Sequence, residues 1–131
     1  MNKITLVTLG VKDIDASKKF YMNLGFEVNE AETETNIVIF KTGETTFSLY
    51  GINQLAEDIN SKAPPLIRSG FNGMALAYNT SSIAEVDELY EKVVNFGAHT
   101  ESEPCEVFWG GGYHFYFQDF DGYYWEVAYA Y

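Results

Sequence analysis

Two residues in this chain combine acid–base chemistry with an apolar setting. Glu126 stands in Tyr124-Trp125-Glu126-Val127, and His114 stands in Tyr113-His114-Phe115-Tyr116. Burying a carboxylate among aromatic rings disfavours its charged form. Glu126 therefore needs a hydrogen-bond partner, such as a tyrosine hydroxyl or His114, or it stays ionised in a wet pocket and meets a cation. If Phe117 and Trp125 face the core together, strand alternation puts Tyr116, Tyr124, Glu126 and His114 on the other face. Upstream, Phe108-Trp109-Gly110-Gly111-Gly112-Tyr113 sets Phe108, Trp109 and Tyr113 around three glycines. Aromatic walls with a few polar groups describe a small-molecule pocket. The plainer alternative is an irregular loop packed by its own aromatics.

Other reactive residue types give less. Cys105 is the only cysteine and has no basic neighbour in sequence, so a nucleophile is not expected there. His99 follows a glycine and an alanine and reads as a surface group. The acidic run Glu30, Glu32 and Glu34 reads as a solvated hairpin. The chain has one arginine, Arg68, and Lys12, Lys18, Lys19 and Lys92 fall beside or on predicted helices. Clamps for phosphate or glutathione carboxylates are therefore missing from the expected ligand face.

The elements that position these groups follow from pattern. Residues 4–11 read as a strand, then Asp13 caps a helix carrying Ala16, Phe20 and Leu24, which Gly25 stops. Strands are expected at residues 26–29, 36–41 and 45–50. Ala63-Pro64-Pro65 interrupts the pattern. A strand at 73–79 follows, then a helix capped by Ser81 or Ser82 with Ile83, Val86, Leu89, Tyr90 and Val93 on one face. Strands at 99–103, 113–118 and 124–129 complete the chain. The order strand–helix–three strands thus occurs twice, and VTLGV near Val7 echoes MALAY at Met74. The expectation is one α+β domain of two βαβββ modules, about residues 1–62 and 68–131, forming a paired, curved mixed sheet around a concave cavity with the helices outside.

Composition bounds the partners. With 47% hydrophobic and 17% aromatic residues, a core is expected. Eight basic against 19 acidic residues give a net charge of −11, which disfavours nucleic acid and anionic membranes. One cysteine and no signal-like or bilayer-length apolar run suggest a cytoplasmic protein. The aromatic end of the chain suggests a homodimer.

The opening TLGVKDIDASKKFYMNLGFEV and the closing DFDGYYWEV resemble the vicinal oxygen chelate superfamily, which includes glyoxalases, bleomycin-resistance proteins and extradiol dioxygenases. The resemblance covers essentially the whole chain. Val11, Asp13, Ser17, Phe20, Tyr21, Leu24, Gly25 and Phe26 match the opening pattern. Asp119, Asp121, Gly122 and Glu126 match the closing one, with Phe120 in place of proline. The resemblance implies a divalent-metal site whose four ligand positions fall on Leu6, Ser48, Gly73 and Glu126. Only Glu126 is an effective ligand. No metal or other cofactor is therefore expected. The resemblance then implies a metal-independent small-molecule binder, with Phe108, Trp109, Tyr113, Tyr116, Tyr124 and Glu126 as its ligand contacts. An alternative is a glyoxalase-like lyase, isomerase or epimerase using Glu126 and His114. A third is a pocket filled by its own aromatics.

Overall fold

A computed structural model describes residues 1–131. The chain is α+β and forms two compact units, Met1–Ser69 and Gly70–Tyr131. Each carries one mixed sheet, and neither sheet closes into a barrel.

In the first unit, strand β1 (Leu6–Val11) runs parallel to β3 (Thr46–Gly51), and β2 (Ile37–Phe40) pairs antiparallel on its other side. Between β1 and β2 lies helix α1 (Ile14–Asn23), whose N-cap Asp13 accepts the Ala16 backbone N–H at 3.0 Å. Its buried face, Ser17, Phe20 and Tyr21, lies over the strand positions Leu9, Val11, Val38, Phe40, Phe47 and Leu49, all buried. The Tyr21 ring stands edge-on to Phe47 with centroids 5.0 Å apart, an arrangement aromatic pairs favour. Alternation leaves Thr8, Ile39 and Ser48 on the opposite face.

Two departures from the sequence pattern occur here. Residues 26–29 contribute only a bridge, Val28 to Phe40, because the chain turns at once with the Glu32 N–H on the Asn29 carbonyl. A further helix, α2 (Ile52–Ile59), follows β3 directly. Ile52, Leu55, Ala56 and Ile59 supply its apolar stripe at helical spacing. A side chain at Gly10 would meet Ile52 at 3.0 Å and Leu55 at 3.2 Å, so α2 crosses the sheet face opposite α1 and needs glycine there.

The second unit repeats the plan. Strand β4 (Ala75–Asn79) runs parallel to β8 (Tyr124–Ala130), and β7 (Gly112–Gln118) pairs antiparallel with β8. Helix α3 (Ile83–Asn95) is capped by Ser82, whose Oγ accepts the Glu85 N–H at 3.1 Å. Glu85 in turn accepts from the Ser81 N–H and hydroxyl, both at 2.8 Å, and from the Tyr78 hydroxyl at 3.0 Å, tying the cap to β4. Val86 and Val93 are fully buried in the core of this unit with Phe115, Phe117, Trp125 and Val127, and Tyr90 stands edge-on to Phe115. The strand expected at 99–103 is split into β5 (His99–Thr100) and β6 (Cys105–Glu106), both on β7. Pro104, which has no N–H to give a ladder, stands at the break.

Between β7 and β8, Asp119 is buried and its Oδ1 accepts the N–H groups of Asp121 (3.0 Å) and Tyr123 (2.9 Å), while Gly122 adopts φ 85°. This turn fixes the register that sets Phe117 opposite Trp125 with parallel rings. Because side chains alternate, it also decides what lies on the other face.

Candidate ligand-binding face

The face of the second sheet away from α3 carries Tyr124, Glu126 and Ala128 of β8, His114, Tyr116 and Gln118 of β7, and Ala75 and Ala77 of β4. Tyr116 is the register partner of Glu126, and Ala77 lies on its other side. His114 Nδ1 is 2.6 Å from Glu126 Oε1, with the two side chains 21% and 29% exposed. With Glu126 a carboxylate, His114 Nδ1 supplies the proton of this bond. The Tyr116 hydroxyl is pushed above the usual phenol range, first by burial and then by the Glu126 charge.

A second carboxylate stands at the turn end of this face. Glu101 Oε1 accepts from the Tyr124 hydroxyl at 2.6 Å and from Gln118 Nε2 at 3.0 Å. Those bonds, the Tyr124 one first, hold Glu101 below the ordinary carboxylate range, and the same bond pushes Tyr124 up. Phe71 stands edge-on to Tyr124 at 5.6 Å. No strand of this sheet contains a lysine or arginine. The face is therefore aromatic and polar, with two carboxylates, two phenols, an amide and, since His99 is the register partner of Gln118, two imidazoles.

The candidate residues named from sequence thus divide. Tyr116, Tyr124, Glu126 and His114 share one face. Tyr113 points the other way and donates to Asp87 of α3 at 2.8 Å, which removes it from the Glu126 group. Phe108 is fully exposed and Trp109 is 67% exposed in the loop before β7. A side chain at Gly111 would collide with the Trp109 indole at 1.6 Å, so the indole folds onto its own glycine loop. That loop adjoins the Gly112–Ala130 end of the ladder, four residues from the Tyr116–Glu126 pair and about 13 Å along the strand. His99 is exposed, 3.6 Å from Glu101. Cys105 is exposed, and its register partner is His114, so the isolation from basic groups inferred from its sequence neighbours does not hold across the sheet. Gln118 and Glu101 were not among the sequence candidates. Gln118 shares the parity of Tyr116 and was readable. Glu101 was not, because its place depends on how the split strand pairs.

Residues 3–127 match the family described as the Glyoxalase/Bleomycin resistance protein/Dioxygenase superfamily. The chain belongs to this superfamily. A glyoxalase-related enzyme from Fulvimarina pelagi is 26% identical, with TM-score 0.86 over 98% of this chain and 88% of that one. A hypothetical protein from S. aureus is 25% identical, with TM-score 0.81 over 99% and 94%. A lactoylglutathione lyase from Agrobacterium tumefaciens, at 24% identity and TM-score 0.69 over 98% and 94%, shares the fold. Among proteins of curated function, none matches this chain.

The superfamily's divalent metal does not fit the residues at the expected positions. Leu6 offers no donor atom and Gly73 no side chain. Ser48 is buried with its hydroxyl bonded to Thr8 Oγ1 at 2.7 Å. Glu126 is engaged by His114. No group of three or more His, Cys, Asp or Glu side chains converges in a way that could hold a metal. No helix is long and apolar enough to cross a membrane.

Proposed function

We propose that this chain is a small-molecule binding protein that works without the superfamily's metal and takes a cationic, aromatic compound on the open face of its second sheet. The observation that carries the reading is the Glu126 carboxylate among Tyr116, Tyr124 and His114, on a face whose strands hold no lysine or arginine. His114 orients Glu126 through one carboxylate oxygen, and the carboxylate is the charge that a ligand cation would meet on this face. The phenol rings supply faces that stack on an aromatic cation. Phosphorylated and glutathione-like ligands are disfavoured by the same lack of clamps.

The test is a thermal-shift panel of aromatic cations and their neutral isosteres, since a bound ligand raises stability by mass action. Glu126→Gln keeps shape and removes charge. Cation binding should weaken by about 1.5–3 kcal/mol, the range for a hydrogen bond to a charged group, with neutral analogues nearly unaffected. Equal responses of both classes, or no stabilising ligand at all, would refute the reading.

A second reading draws on the 2.6 Å His114–Glu126 contact itself. A carboxylate-held imidazole is a general base, and a lyase, isomerase or epimerase reaction needs one proton taken and returned. Turnover of a carbonyl substrate abolished by His114→Gln would favour it over binding alone.

The proposal extends to assembly and location. Strands β1 and β4 are both sheet edges, and Leu66, Phe71, Phe108 and Trp109 are 79%, 73%, 100% and 67% exposed. Open edges and exposed apolar groups favour a homodimer. An exposed free thiol at Cys105 suits the reducing cytoplasm. The charge of −11 argues against nucleic acid as a partner.

A further inference from the structure

Asn72 and Gly73 form the bend that leads into β4, and both are exposed. The Asn72 side chain folds forward over this bend, with Oδ1 accepting the Met74 backbone N–H at 3.1 Å. That bond holds the carboxamide over the peptide whose nitrogen belongs to Gly73. The Gly73 N–H itself gives no hydrogen bond to the chain. Gly73 adopts φ 77°, and a side chain built on it would meet nothing within 4 Å, so the space beside its nitrogen is open to water. The residue before Asn72 is Phe71, whose ring stands edge-on to Tyr124 at 5.6 Å. The bend therefore borders the candidate ligand face.

We propose that Asn72–Gly73 is a self-modification site, at which the chain converts its own asparagine to aspartate and isoaspartate with water as the only co-reactant. In the first step the Gly73 nitrogen gives its proton to solvent base and forms a bond to Asn72 Cγ, closing a five-membered ring. Holding the two groups in one bend makes the attack intramolecular. Negative charge develops on Oδ1, the atom at which the Met74 N–H already points. The Cγ–Nδ2 bond then breaks, Nδ2 takes up a proton, and ammonia leaves a succinimide. Water adds to either imide carbonyl. Cleavage of the new Gly73 N–Cγ bond gives aspartate, and cleavage of the original main-chain amide gives isoaspartate. No oxidant or reductant is consumed. Glycine matters because a Cβ on the attacking residue would crowd the ring. Either product sets a new carboxylate beside Phe71 and Tyr124, and isoaspartate also lengthens the backbone ahead of β4. This chemistry goes beyond the binding reading and does not depend on it, because no ligand takes part.

The test is timed incubation of the full chain in mildly alkaline buffer. Tandem mass spectrometry of a digest places each amide-to-acid change and separates aspartate from isoaspartate. Asn72 should be the first asparagine to change. Asn60 is the internal control, since its Oδ1 accepts the Lys62 and Ala63 N–H groups at 3.2 and 3.1 Å but Ser61, with a side chain, follows it. It should lag by about tenfold, the rate equivalent of a modest steric barrier. The second reference is the same chain unfolded in guanidinium, where the Met74 contact is lost. The folded chain should modify Asn72 about threefold faster, the effect of one exposed hydrogen bond on a rate. Asn72→Gln should abolish the change at this position, because its ring would need a further atom. Gly73→Ala should slow it about tenfold, with circular dichroism confirming the fold. A folded rate no greater than the unfolded rate would overturn the proposal without any variant. So would Asn60 changing ahead of Asn72, or a folded Gly73→Ala protein reacting at the wild-type rate. Failure of the cation panel with success here would sink the binding reading and leave the self-modification standing.

Discussion

The His114–Glu126 bond can be tested as a stability coupling, free of any ligand. The bond is short at 2.6 Å and joins an imidazole to a carboxylate. Hydrogen bonds to charged groups contribute about 1.5–3 kcal/mol. Here 21% and 29% of the two side chains stay exposed, so water replaces part of the lost bond and the lower part of that range applies. The expected coupling energy is about 1.5–2 kcal/mol from the cycle His114→Ala, Glu126→Ala and the double variant. The readout must belong to this sheet, since the chain has two compact units. Trp125 provides it, being 8% exposed and stacked on Phe117 beside Glu126. In a Trp109→Phe background it is the only tryptophan, and its fluorescence through a urea titration reports unfolding of the second unit. Additive single effects, with a coupling under about 0.3 kcal/mol, would show that the bond does not form in solution. The orientation of His114 used throughout would then be wrong.

Three further outcomes are expected. The fold lowers the Glu85 carboxyl below its ordinary value of 4.5, through the Ser81 backbone bond first, then the Ser81 and Tyr78 hydroxyls. A lowered carboxylate stabilises above its unfolded value and loses that contribution as pH falls through its folded value. Wild type should therefore exceed Glu85→Gln in urea midpoint near neutrality, with the gap closing on acidification; a gap constant with pH would contradict the cap geometry. Elemental analysis of chain purified without chelator should find no stoichiometric zinc, nickel, manganese or iron, and about one per chain lost on Glu126→Ala would overturn the assignment of the metal positions. Sedimentation at micromolar concentration should give a dimer of the 14.8 kDa chain, and a monomer alone would refute the homodimer.

Much of the local structure was written in short-range signals. Asp13 and Ser82 cap their helices where a polar residue precedes an apolar stripe. The Phe117 and Trp125 parity held because a tight turn closed by Asp119 and Gly122 leaves one register between β7 and β8. That parity was enough to group Tyr116, Tyr124, Glu126 and His114. Helix α2 was missed, because the helical spacing of Ile52, Leu55, Ala56 and Ile59 spans only eight residues, too few for the pattern to stand out.

The chemistry of Glu126 was not readable in the same way. The sequence determined that a carboxylate sits in an aromatic strand and that metal donors are absent from Leu6 and Gly73, because residue type alone limits what can ligate. Only the tertiary structure decided that His114 is its partner, that Glu101 joins the same face through Tyr124 and Gln118, and that Cys105 lies beside His114. Those pairings join residues 9 to 23 positions apart, across strands whose register is set by the Asp119–Gly122 turn for β8 and follows the break at Pro104 for β5 and β6, and local propensity carries no information about such distances. Tyr113 makes the same point in reverse, since one step along the strand from His114 moved it to the helix side of the sheet.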